Sequence, residues 1–185
     1  AVIIYLAIAA VVVFSPMIGN FFVGDDFTWF RWAASDSSVV RYFTASDGFF
    51  YRPGTKAYFE LMYSVFWLNP PVYHIVSILL HFVVAVLVFL LASKILRNVA
   101  LSVLASFLFL VLSGLSENVF WIAATGYLFN GLFMLLSLIF FIYWEERKKI
   151  TYLVATLLFL ALSLLFHELG VVTPLLLLLY KFTAN

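Results

Sequence analysis

Asp25 and Asp26 are adjacent carboxylates in a polar stretch of an otherwise apolar chain. Two such acids can share one proton, which raises one pKa toward the range of a useful general base. They can equally bind a divalent cation through oxygen ligands, although nothing in the sequence requires one. The structural alternative is a helix N-cap at Asp25, with Asp26 favouring the helix dipole. Arg52 stands in Tyr51-Arg52-Pro53, a rigid bend where a guanidinium suits a pair of phosphate oxygens or lipid headgroups. Lys56, one helical turn on, reinforces either role. His74 and His81 are seven residues apart and share a helix face, His74 toward substrate phosphate at the helix start. Roughly 10 Å of helix rise separates them, too far for both to hold one metal ion. His81 is expected to be hydrogen-bonded inside a bundle. Glu117 and the pair His167-Glu168 interrupt apolar runs, where their structural role is to cap helix breaks. The chain has no cysteine, which excludes thiol nucleophiles, disulfides and cysteine metal sites.

The elements that must position these residues are apolar. The chain is 66% hydrophobic and 10% charged, with a mean hydropathy of +1.14. Soluble domains carry about 25% charged residues, so this is an integral membrane protein of the all-α class, a polytopic helical bundle. The apolar runs predict six spans in one module, at residues 1–18, 72–93, 99–114, 119–144, 150–166 and 169–182. The third is shorter than a straight crossing needs, and Pro174 lies inside the sixth. Residues 19–71 form a long loop with interfacial helices. Asp25 is expected to open a short helix over residues 27–33, whose aromatics Phe27, Trp29, Phe30 and Trp32 suit a membrane interface. Turns are expected at residues 35–38, where a second helix is capped, and at 46–48. Residues 55–68 carry helical apolar spacing (Tyr58, Leu61, Met62, Val65, Phe66) and an i,i+4 pair, Lys56 and Glu60. The chain opens on Ala1 inside an apolar run and ends at Asn185 just after another, which predicts a piece of a longer protein.

Six alternating spans sort the polar breaks into two sets. Lys94, Arg97, Arg147, Lys148, Lys149 and Lys181 face one side with Glu145 and Glu146, six basic residues against two acidic. Arg31, Arg41, Arg52 and Lys56 face the other with Asp25, Asp26, Asp36, Asp47, Glu60, Glu117 and Glu168, four against seven. The positive-inside rule puts the first set in the cytoplasm and the long loop outside, for a bacterial inner membrane or an ER membrane. Asp25, Asp26, Arg52, His74, Glu117, His167 and Glu168 then all fall at the outer face, as expected of one site shared among several helices. The net charge of +1 says nothing about nucleic acid, but the lack of a basic cluster argues against a nucleic-acid partner.

The order of these residues resembles a family. Gly24-Asp25-Asp26-Phe27, Tyr51-Arg52-Pro53, Pro71-x-x-His74, Ser116-Glu117-Asn118 and Glu168-Leu169-Gly170 follow one another as in polytopic glycosyltransferases of the C-type architecture. The likeness is to the N-terminal module of protein O-mannosyltransferase relatives and their bacterial homologues. It implies a polyprenyl-phosphate-linked sugar donor and transfer with inversion to a protein or glycan acceptor. It further implies that Asp25 or Asp26 deprotonates the acceptor hydroxyl. Arg52, with His74, would hold the leaving phosphate, and Glu117 and Glu168 would line the donor or acceptor cavity. Two other classes compete. A non-catalytic accessory subunit, packed against other membrane subunits, accounts for the short chain and aromatic surface. A lipid or sugar transporter would place ionisable residues near mid-membrane on broken helices, where only His81 is a candidate.

Overall fold

The computed structural model describes residues 1–35, 39–44 and 50–183. Among these residues there is no strand, and every regular element is a helix. The turns expected around Asp36 and Asp47 lie outside the described residues.

The first apolar run forms α1 (Val2–Phe14), which tightens into a 3-10 turn at Ser15–Gly19. Three short helices occupy the loop: α2 (Asp26–Ser35), α3 (Val39–Thr44) and α4 (Pro53–Phe66). The bundle continues with α5 (Pro70–Leu96), α6 (Val99–Val111) and α7 (Ser113–Phe120). A 3-10 turn at Ile122–Ala124 leads into α8 (Thr125–Arg147), followed by α9 (Ile150–Phe166). A third 3-10 turn, Glu168–Val172, precedes α10 (Thr173–Thr183).

Three of these stretches are long and apolar enough to cross a membrane: Val2–Gly19, Pro70–Leu96 and Ile122–Arg147. α6 and α7, bent by 56°, make a fourth if taken as one span. α9 follows the expected fifth run residue for residue but has only 17 residues, and α10 has 11. At 1.5 Å per residue an 11-residue helix rises about 16 Å, roughly half the hydrocarbon core. The six expected runs are therefore all helical, but length alone supports three to four crossings. The polar break expected at Leu115–Asn118 is itself helical, as α7.

α5 is the central strut, packing on α1, α6 and α8, while α9 packs on α8. Pro70 and Pro71 stand at its first helical positions, where a missing N–H costs nothing. Arg97 and Lys148 end α5 and α8 with left-handed φ of 50° and 52°. Asn98 accepts the Leu101 N–H to start α6. Lys94 pairs with Glu146 at 2.9 Å across this basic end of the bundle.

In hydrocarbon each broken helix must satisfy its carbonyls internally. Neighbouring side chains do this at the ends of α6 and α9. His81 Nε2 donates to Leu110 O at the end of α6 (3.0 Å). Thr55 Oγ1 donates to Phe166 O at the end of α9 (2.8 Å). Asn130 Nδ2 donates to Ser163 O, Ser163 Oγ and His167 O at 3.0, 2.9 and 3.3 Å. Each of those two carbonyls also takes a backbone N–H, from His167 and Gly170. Asn130→Leu is therefore expected to cost only about 1 kcal/mol, the usual size of an interhelical polar contact in membranes. Denaturant unfolding in micelles checks this, and a loss above about 3 kcal/mol would mean that Asn130 alone holds the α8–α9 joint.

The loop packs as a small aromatic core. Trp29 stacks on Phe59 at 5.1 Å, and Phe22 and Phe30 meet Tyr73 edge-on at 5.3 Å each. Trp29, Phe30 and Trp32 are buried and only Phe27 is exposed, so three of the four rings expected at the interface are core residues. On α4, Tyr58 and Met62 are buried, but Leu61, Val65 and Phe66 face outward. The buried face instead carries Thr55, Lys56 and Phe59.

Candidate functional site

The two adjacent acids have opposite environments. Gly24 turns the chain with φ +52°, a left-handed value that suits glycine. The turn exposes Asp25 and points Asp26 inward, to 1% exposure. Asp26 Oδ2 accepts the Val23 N–H (2.9 Å) and Oδ1 accepts the Ala123 N–H (2.6 Å). Asp26 thus ties the loop to the entry of α8. Burial pushes its carboxyl above the usual range; the two N–H donors pull the other way without cancelling that, and the Asp25 charge adds to the rise.

Asp25 instead lines an open cleft of about 380 Å³ with Val23, Gly24, Glu117, Phe120 and Trp121. Two carboxylates and an aromatic wall thus meet from segments far apart in the sequence. α7 makes this possible. Its Glu117, Phe120 and the following Trp121, spaced i, i+3 and i+4, face the cleft. Its Leu115 and Asn118 face a second, more enclosed cavity of about 280 Å³, lined mainly by apolar side chains of α5, α6 and α8 together with His81, Tyr127, Asn130 and Leu169.

A third grouping gathers Arg52, His167 and Glu168. Arg52 Nε lies 3.1 and 2.9 Å from Glu168 Oε1 and Oε2, and Nη2 lies 2.8 Å from Oε2. The guanidinium sits 4.2 Å from the Phe50 ring and 5.9 Å from Tyr127. Tyr127 also packs on His167, with ring centres 3.9 Å apart and planes tilted by 34°. Three fits bring these segments together. Thr55 bonds to Phe166 O; Gly54 lies against the Phe166 ring, where a Cβ would come within 2.7 Å; Gly126 lies against Thr55. Burial alone would raise the Glu168 pKa, but the hydrogen bond and charge of Arg52, helped by its own backbone N–H, hold it below the usual range.

The remaining expected site residues are placed elsewhere. His74 is buried, and Nε2 donates to Asn20 O (3.2 Å), tying α5 to the end of the first span. Lys56 is buried with its ammonium 5.5 Å from the Trp32 ring. Glu60, its expected i,i+4 partner, accepts the Tyr42 hydroxyl. Among the described residues no group of three or more histidines, aspartates and glutamates is close enough to hold a metal ion. Asp25 and Asp26 do not face a common point, so they do not form the paired chelate their adjacency offered. Sequence reasoning missed Phe50, Tyr127 and Trp121, aromatics whose role comes from placement alone. Comparison with family models, with curated proteins and with solved structures found no match to this chain.

Proposed function

We propose that this membrane protein is a glycosyltransferase that moves a sugar from a polyprenyl-phosphate donor to an acceptor hydroxyl. One observation carries the reading: α7 separates a carboxylate-lined open cleft from an apolar cavity. A hydroxylic acceptor suits the first and a lipid chain suits the second. The cation cluster at Arg52 borders the cavity through Tyr127.

In this reading Asp25, the exposed acid, is the general base. Its carboxylate takes the acceptor hydroxyl proton as that oxygen attacks the anomeric carbon. The bond from that carbon to the phosphate oxygen breaks, its electron pair leaves with the phosphate, and the configuration inverts. Arg52 receives the developing phosphate charge, the role in which a preorganised cation contributes most. Glu117 orients the acceptor. The loop then faces the non-cytoplasmic side, and the six helical runs would all belong to the membrane domain.

The test is transfer of labelled sugar from a polyprenyl-phosphate donor by membranes holding the full gene product. Asp25→Asn is expected to lower transfer by about 10²- to 10⁴-fold, the range of a general base, with unfolding temperature unchanged. Transfer absent in wild type, or unchanged in this variant, sinks the reading. One observation favours a non-catalytic subunit instead: Arg52 is already neutralised by Glu168. Absence of transfer by wild type would favour that alternative.

A further inference from the structure

Two membrane-length helices end side by side in a cluster of cations. α5 has 27 residues and the stretch Ile122–Arg147 has 26. Each rises about 40 Å, more than the hydrocarbon core, so their ends reach the headgroup layer. Lys94 on α5 holds Glu146 on α8, which sets the α5–α6 turn beside the α8–α9 turn. This end carries Lys94, Arg97, Arg147, Lys148 and Lys149 against Glu145 and Glu146. Both acids are already taken, Glu146 by Lys94 and Glu145 by Lys148. Arg97, Arg147 and Lys149 are exposed and meet no carboxylate among the described residues. Arg147 donates only to the Tyr152 hydroxyl, at 3.2 Å.

The backbone supplies the second observation. Arg97 and Lys148 take left-handed φ of 50° and 52° at the two turns. Helices usually end that way on glycine, because other residues adopt this conformation at a cost. The helix dipole does not require a cation there, since Lys94 and Arg147 already stand in the last turns of α5 and α8. At Arg97 a strained position therefore carries a charge that nothing else among the described residues engages.

The neighbours of these cations decide which anion fits. Ile95, Leu96 and Val99 flank Arg97, Ile150 follows Lys149, and all four are exposed. A soluble anion would leave this apolar rim in water. A phospholipid covers both parts, with its phosphate on the cations and its acyl chains on the rim. We propose that the paired turns bind the headgroup of an anionic phospholipid through Arg97, Arg147 and Lys149. The site is separate from the carboxylate cleft and does not rest on the transferase reading.

The experiment is lipid binding to the full-length protein in neutral detergent, followed by native mass spectrometry. Short-chain phosphatidylglycerol, short-chain phosphatidylcholine and glycerol phosphate are the separate probes. One basic residue beside an anionic lipid contributes about fivefold in binding. Wild type is therefore expected to prefer phosphatidylglycerol over phosphatidylcholine by about tenfold or more. Lys149→Gln should weaken phosphatidylglycerol binding about fivefold and leave phosphatidylcholine binding unchanged. Arg97→Gly should weaken it by about the same factor with no loss of unfolding temperature, because glycine suits the left-handed turn. That variant separates a missing charge from a damaged fold. Arg31→Gln, which removes an exposed cation of the loop, should change nothing. A preference smaller than one cation supplies, or unchanged binding in either Lys149→Gln or Arg97→Gly, overturns the proposal. Equal weakening in Arg31→Gln overturns it as a local site. Glycerol phosphate binding as tightly as phosphatidylglycerol overturns it as a lipid site.

Discussion

Asp26→Ala is expected to lower stability by about 3 kcal/mol, because it orphans two N–H donors, at least one of them buried, that each cost about 1–3 kcal/mol unpaired. The tie it breaks joins Val23 to Ala123, so the damage should be local before it is global. Amide exchange at Ala123 should rise well before the bundle unfolds. Asp26→Asn is expected to cost about half as much, since its amide oxygen accepts one N–H while its NH2 faces the other. A pH series separates the carboxyl from the rest of the protein. The folded pKa of Asp26 lies above its unfolded value, chiefly through burial. Folding therefore favours its protonated form: the contribution is complete below the unfolded pKa and is lost as pH rises through the folded one. Wild type should lose stability across that window and Asp26→Ala should not. Equal slopes would mean that the carboxyl is solvated and the tie is not made.

This division between Asp25 and Asp26 shows what the sequence carries and what it hides. Apolar composition made the helical bundle legible, and α9 fell where its run of apolar residues predicted. The polar breaks were visible, but their geometry was not. Glu117 and Asn118 are neighbours in sequence, yet one turns to the open cleft and the other to the apolar cavity, because the stretch is helical and its residues step by about 100°. The α4 face was misjudged for a related reason. Spacing of apolar residues finds one stripe, but α4 has aromatic core on one side and, in a membrane protein, an apolar exterior on the other. Hydrophobicity cannot rank the two. Lys56 and Thr55, polar by type, are among its most buried residues. The histidines show the same limit: His74 and His81 each donate to a carbonyl at a helix end, whereas only His167 is held in the tautomer with an unused donor. Residue type is common to all three; the partner atom decides, and it comes from a distant segment in two of them.

The joint on which the site depends should be the most sensitive to added volume. Gly126 faces Thr55 Oγ1, and a Cβ there would lie 2.7 Å from it and 3.2 Å from Phe166 O. Both atoms belong to the Thr55–Phe166 hydrogen bond, so neither moves without breaking it. Gly126→Val is therefore expected to cost about 2–3 kcal/mol through overpacking, although valine is the better helix former. Gly126→Ala should cost less but still have the same sign. The consequence is larger than the stability lost. Phe166 precedes His167 and Glu168 in the chain, and Thr55 lies one turn from Arg52. A displacement of about 1 Å at this joint moves the two halves of the cation cluster apart, and misplacement on that scale costs about 10²-fold in catalysis. On the proposed transferase reading, Gly126→Val should lose about that factor in the sugar-transfer assay at a temperature where the protein remains folded. A variant that is destabilised yet transfers normally would show that the α4–α9 joint supports the fold without positioning the site.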